Sequence, residues 1–172
     1  MDFRIARAGD FGEFPDWESV WTNLSLSPDG SHSLASRDHR LELIELRQGT
    51  TASLGHGFVR GYWSPDGEWV AAVRANGGAR ERIALLGART LTVRRDLGST
   101  DGAPLVWSPD SRFLLVWKRE RCGVFSGSYG ALEKIDVADG KRSKIAGSGC
   151  AVNQFSYGWV NDGIVKLTTL RR

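Results

Sequence analysis

Trp63-Ser64-Pro65-Asp66-Gly67 is one of four versions of a single string in this chain. Leu26-Ser27-Pro28-Asp29-Gly30 precedes it, Trp107-Ser108-Pro109-Asp110-Ser111 follows, and Trp159-Val160-Asn161-Asp162-Gly163 is an eroded last copy. The copies start at 26, 63, 107 and 159, so they are 37, 44 and 52 residues apart. A period of roughly 40 to 50 residues is that of one four-stranded propeller blade. Each string carries the chemistry of a tight turn. Pro fixes φ at the first corner, Asp bonds its own backbone two residues on, and Gly takes the positive φ that closes it.

Short β-rich runs flank these turns. Trp21 to Leu26 precedes the first, while Trp69 to Val73, Phe113 to Trp117 and Ile164 to Leu170 follow the later ones. Third strands are predicted at Leu41 to Leu46, Ile83 to Leu86 and Leu132 to Val137, and fourth strands at Thr92 to Leu97 and Lys141 to Ile145. Gly supplies 21 of 172 residues and no helical stripe of useful length competes. The predicted fold is therefore an all-β propeller of four-stranded antiparallel blades at about 20–54, 59–97 and 104–145, with a partial fourth at 150–172.

The Trp-Ser-Pro-Asp-Gly string followed by an apolar strand resembles the PD-repeat, WD-repeat-like β-propeller of the TolB type, also found in the propeller halves of prolyl-oligopeptidase-like enzymes. The resemblance covers about residues 20 to 165 and departs from the pattern where Ser111 replaces the turn Gly and Val160-Asn161 replaces Ser-Pro. It implies a fold and a frequent binding face; function has to come from the site. Four blades is the lower limit of a closed propeller. Two arrangements stay open. Residues 1–8 close a small ring by adding an outer strand through Phe3 to Arg7, or the blades belong to a larger ring completed by other residues or by a homo-oligomer.

Composition bounds the function. Hydrophobic residues make up 41% and charged residues 25%, enough for a core and too much apolar material for a disordered chain. No run approaches the roughly 20 apolar residues of a membrane span. The net charge of +3 does not call for a nucleic-acid partner. Two Cys and three His without ligand spacing predict no metal and no cofactor. Asp29, Asp66, Asp110 and Asp162 each serve their own turn, and Trp63, Trp69, Trp107, Trp117 and Trp159 are expected to pack blade on blade. Gly-x-Ser-x-Gly is absent, and Gly123 to Gly130 lacks the Lys-Ser/Thr ending of a phosphate loop. The chain is expected not to be an enzyme.

One asymmetry points to a surface. The distance from the turn Asp to the third strand grows along the chain, and these connections emerge on one propeller face. They carry Arg37, Asp38, His39 and Arg40, then Arg74, Arg80, Glu81 and Arg82, then Lys118, Arg119, Glu120 and Arg121. The leading expectation is an interaction module presenting this Arg-rich face to an anionic protein partner, with Arg80, Arg82, Arg119 and Arg121 as binding residues. The alternative is a propeller accessory of a prolyl-oligopeptidase-like hydrolase, gating its substrate.

Cys122 and Cys150 fall on connections that an up-and-down blade places on the same face. A disulfide there would close a loop of roughly 28 residues and contribute about 3 kcal/mol. It would fit a periplasmic or secreted protein, in keeping with the TolB-type resemblance; two free thiols would fit a cytoplasmic one.

Overall fold

A computed structural model of the chain describes residues 22–37, 39–55, 57–75, 80–101, 105–120, 129–147, 155–159 and 165–169. These form three four-stranded antiparallel sheets and one two-stranded sheet, with no helix among the described residues. Blade one is β1 (Thr22–Leu26), β2 (His32–Arg37), β3 (Arg40–Glu45) and β4 (Thr51–Leu54). Blade two is β5 (Phe58–Trp63), β6 (Trp69–Arg74), β7 (Glu81–Gly87) and β8 (Val93–Thr100). Blade three is β9 (Val106–Trp107), β10 (Phe113–Glu120), β11 (Tyr129–Asp136) and β12 (Arg142–Gly147), and β13 (Phe155–Trp159) pairs with β14 (Val165–Thr169) as the partial fourth. Strands within each sheet pair in chain order, the up-and-down meander of a propeller blade. The segment proposed to close the ring, residues 1–8, lies outside the described residues.

The repeated string forms the same clasp three times, and its Ser is the organising residue. The Ser27, Ser64 and Ser108 hydroxyls donate to Asp29, Asp66 and Asp110 Oδ1 at 2.6, 2.5 and 2.6 Å. The same hydroxyls accept the backbone N–H of His32, Trp69 and Phe113 at 2.9, 2.9 and 2.8 Å. Each Asp also accepts the N–H two residues on, from Ser31, Glu68 and Arg112. Gly30 and Gly67 take φ of 69° and 73°, and Ser111 holds the same left-handed conformation at 61°. That conformation costs a residue with a Cβ roughly 1 to 2 kcal/mol. An offset is visible: the Ser111 hydroxyl accepts the Asp66 N–H at 3.0 Å, tying blade three to the turn of blade two.

Blades stack through two apolar layers. Leu34, Leu41, Leu43 and Leu54 of blade one meet Phe58, Val70, Ala72, Leu86 and Ala88 of blade two. Ala71, Val73, Ile83, Leu85 and Leu97 of blade two meet Leu105, Trp107, Leu114, Val116, Ile135 and Val137 of blade three. Alternate residues of one strand thus face opposite neighbours, as the two-residue strand period requires. Gly61 allows the closest approach, since a Cβ there would lie 2.8 Å from Leu41 Cδ2.

The string's Trp does more than pack. Trp63 Nε1 donates to the Ser25 carbonyl at 3.1 Å, Trp107 Nε1 to Tyr62 at 3.0 Å and Trp159 Nε1 to Val106 at 3.3 Å. Each acceptor lies one residue before the corresponding position of the preceding blade, so every indole ties its blade to the innermost strand behind it. Buried indole N–H groups need such a partner.

Candidate functional site

The connections expected to carry the Arg-rich face are shorter than the sequence suggested. Strand pairing continues past the apolar runs, leaving 38–39 between β2 and β3, 75–80 between β6 and β7, and 121–128 between β10 and β11. The increase along the chain holds, but Glu81, Arg82, Lys118, Arg119 and Glu120 stand on strands. Of these, Arg82 is half exposed, while Glu81 and Lys118 are about a quarter and a third exposed and lie against the countercharges of Arg60 and Glu133.

Arg80 is the most open of the predicted residues, its side chain 64% exposed, with Nε 3.9 Å from Asp101 Oδ1. Arg82 is half exposed and reaches across to β8, where Nε and Nη2 donate to Asp96 Oδ2 at 3.0 and 2.6 Å. Burial would raise the Asp96 carboxyl, but the Gly98 N–H and the Arg82 guanidinium outweigh it and hold the group below its ordinary value. Arg60 pairs with Glu81, and Lys118 lies 3.8 Å from Glu133. Arg119 is on β10 opposite Gly130. Arg121, Cys122 and Cys150 lie outside the described residues. The face is thus less positive than its own connections imply, because Asp96 and Asp101 come from the outer strand and the exit of blade two. Sequence spacing missed them: the register that puts β8 beside β7 is what brings them in.

The opposite face, formed by the turns, holds a cleft of about 870 Å³ between blades one and two. Asp29, His32, Glu68, Trp69, Arg89 and Arg94 are among its lining residues. Ser31 Oγ lies 2.6 Å from His32 Nδ1 and 2.8 Å from both Asp29 oxygens. The hydroxyls of Ser27 and Ser31 and the Ser31 N–H lower the Asp29 carboxyl to about 2. Asp29 is therefore ionised at neutral pH and takes the single Ser31 hydroxyl proton, which leaves His32 Nδ1 as a donor. This chain of bonds fixes a turn and does not activate a nucleophile. Among the described residues, no group of three or more His, Cys, Asp or Glu is placed to hold a metal ion, and no helix is long and apolar enough to cross a membrane.

No family model matches the sequence, and no curated protein sequence matches it. Solved structures do. The putative TolB from Agrobacterium tumefaciens superposes with a TM-score of 0.65 at 17% identity, over 88% of this chain and 54% of that one. TolB from Acinetobacter baumannii gives 0.56 at 23%, over 69% of this chain and 30% of that one. The β-propeller domain of the Trilobed protease from Pyrococcus furiosus gives 0.60 at 16%, over 81% and 45%. Pyrococcus horikoshii acylaminoacyl peptidase gives 0.61 at 12%, over 80% and 26%. The chain spans between about a quarter and a half of these structures. At such identities the likeness speaks for architecture, and it agrees with the repeat and the sheets: the chain folds as blades of a TolB-type, WD-like β-propeller.

Proposed function

We propose that the chain is a non-catalytic interaction module of the periplasm that presents the face of Arg80, Arg82, Arg119 and Arg121 to an acidic protein partner. One observation carries the proposal: the Arg80 and Arg82 side chains are 64% and 50% exposed, and the carboxylate that Arg82 engages, Asp96, is itself half exposed. A surface pair such as Arg82–Asp96 contributes about 0 to 1 kcal/mol, so a partner's carboxylates can replace Asp96 at little cost. The planar guanidinium fork suits that exchange better than an ammonium would.

The test replaces all four arginines by Ser. Binding to an acidic protein surface should weaken, and its salt dependence should flatten, while the circular dichroism spectrum stays that of the parent. Undiminished binding at low salt would rule this face out. A second reading, a propeller that gates substrate for a peptidase domain, draws on the likeness to the acylaminoacyl peptidase and the Trilobed protease propeller. A Gly-x-Ser-x-Gly domain encoded next to this chain would favour it.

A further inference from the structure

The turn between the third and fourth strands is bonded alike in all three blades, so its residues can be compared one by one. Glu45, Gly87 and Asp136 each donate their N–H to the carbonyl five residues on, at Thr50, Thr92 and Lys141, and each carbonyl accepts the N–H four residues on, from Gly49, Leu91 and Gly140. In blade one the Glu45 carboxylate folds over its turn and takes the N–H groups of Arg47 and Gln48 at 3.2 and 2.7 Å. In blade three the Asp136 carboxylate takes the Ala138 N–H at 2.9 Å. Blade two has Gly87 at this position and no carboxylate of its own. The equivalent N–H groups, those of Arg89 and Thr90, have no acceptor among the described residues.

Cations gather where the other blades place that carboxylate. A Cβ on Gly87 would lie 3.2 Å from Thr90 Oγ1 and 3.5 Å from Arg94 Nε, so the Arg94 guanidinium borders the space that the Glu45 and Asp136 side chains enter in their own blades. Arg89 and Arg94 are exposed, and neither forms an ion pair among the described residues, whereas Arg60, Arg82 and Arg142 all do. The turn is also pinned. Leu91 holds at 50° the left-handed φ that Gly49 and Gly140 supply at 69° and 75°, and its side chain packs against the first blade junction. A leucine in that conformation is strained and persists only where its surroundings fix it.

This turn lines the cleft between blades one and two, and Asp66 and Glu68 line the same cleft. Asp66 Oδ1 takes the Ser64 hydroxyl and the Glu68 N–H, while Asp66 Oδ2 and the Glu68 carboxylate accept no hydrogen bond from the described residues. Cations and carboxylates therefore share one cavity without neutralising one another. Its volume of about 870 Å³ falls within the roughly 300 to 1,000 Å³ of ligand sites. We infer that the cleft binds short zwitterionic peptides, whose carboxylate caps the Gly87 turn as Glu45 and Asp136 cap theirs and whose ammonium lies against Asp66 and Glu68. The carboxylate would accept from the Arg89 and Thr90 N–H groups and from the Arg89 and Arg94 guanidinium groups, the charge-assisted bonds that bind such a group most strongly. A purely anionic ligand such as phosphate is disfavoured, because Asp29, Asp66 and Glu68 repel it from the same lining.

Isothermal titration calorimetry with tri-alanine, its C-terminal amide and its N-acetyl form tests this. Tri-alanine should bind, and each blocked form should bind about tenfold more weakly or worse, the loss expected for one hydrogen-bonded charge. Arg89→Gln combined with Arg94→Gln should bring tri-alanine down to the level of its amide. Gly87→Asp, which installs the residue of blade three, should abolish binding without lowering the melting temperature, because the new carboxylate caps the turn itself. Gly87→Ala adds a Cβ without a carboxylate and should bind tri-alanine as the parent does. No heat of binding at millimolar tri-alanine, equal affinity for either blocked form, or undiminished binding by Gly87→Asp would overturn the inference. The four-arginine variant should bind tri-alanine like the parent, which separates this cleft from the acidic-partner face.

Discussion

The junction between blades one and two and the junction between blades two and three have the same indole tie and the same apolar layers, yet they differ in polar clamps. At the second junction Ser111 accepts the Asp66 N–H, and Arg142 donates to the Leu97 carbonyl at 3.0 and 2.5 Å while holding Glu133 at 2.9 Å. At the first, Gly67 stands where Ser111 does and exposed Val93 where Arg142 does. The Arg142 clamp shapes its own surroundings: it packs over Gly98, where a Cβ would lie 2.9 Å from Nη2. The large cleft lies at the unclamped junction. Apolar layers are enough to stack two blades, and the clamps decide whether the turn face between them is closed or open.

The largest expected effect sets the two indoles against each other. Trp107 is buried in the second junction and Trp63 is half-buried at the edge of the first. Trp107→Ala should cost about 3 to 5 kcal/mol, the range for deleting a buried aromatic, and Trp63→Ala about half of that. Urea unfolding of the two variants checks the difference. Equal losses would mean that the open cleft does not weaken the first junction.

Much of this architecture was legible in the string itself. Pro, Asp and Gly announced the turns, and the period of the string announced the blades. Trp63, Trp107 and Trp159 do stand at equivalent ends of innermost strands. What the string did not disclose was the part played by its Ser, whose hydroxyl works in two directions at once, because that requires the strand after the turn to have folded back. The Arg-rich face was legible only as a list of cations. Its neutralising partners Asp96 and Asp101 sit 14 and 21 residues from Arg82 and Arg80, and only β7–β8 pairing and the exit from blade two bring them close. Local turn chemistry is readable from a sequence because its partners are two to five residues apart; charge compensation across strands is not.

A smaller effect tests whether the clamp at Ser111 can be moved. A Cβ on Gly67 would sit 3.7 Å from Pro28 Cδ, so a side chain there points at the turn of blade one. Gly67→Ala should lose about 1 to 2 kcal/mol from the left-handed conformation alone. Gly67→Ser should lose less, by about 1 kcal/mol, if its hydroxyl takes the Asp29 N–H as Ser111 takes that of Asp66. At the native clamp, Ser111→Ala should be more damaging than Ser111→Gly, since Ala keeps the strain and drops the bond. Denaturant midpoints for the four variants give the comparison, and identical values for Gly67→Ala and Gly67→Ser would show that the first junction cannot accept the clamp.

The smallest effect is a pH dependence at the cleft. Three donor groups, with the Ser27 hydroxyl first, lower Asp29 from 3.8 to about 2, and the Ser108 hydroxyl and Arg112 N–H lower Asp110 in the same direction. A carboxyl depressed in the folded chain binds its proton more readily when unfolded, so its contribution is complete above about 4 and is lost as the pH falls through about 2. Asn keeps an oxygen for the Ser27 hydroxyl and the Ser31 N–H but carries no charge. The melting-temperature gap between the parent and Asp29→Asn should therefore be constant near neutrality and close between about pH 4 and pH 2. Asp29 is fully exposed, so the gap should be small and should shrink further in salt. A gap that persists unchanged at pH 2 would assign the stabilisation to the shape of the turn and not to the charge on Asp29.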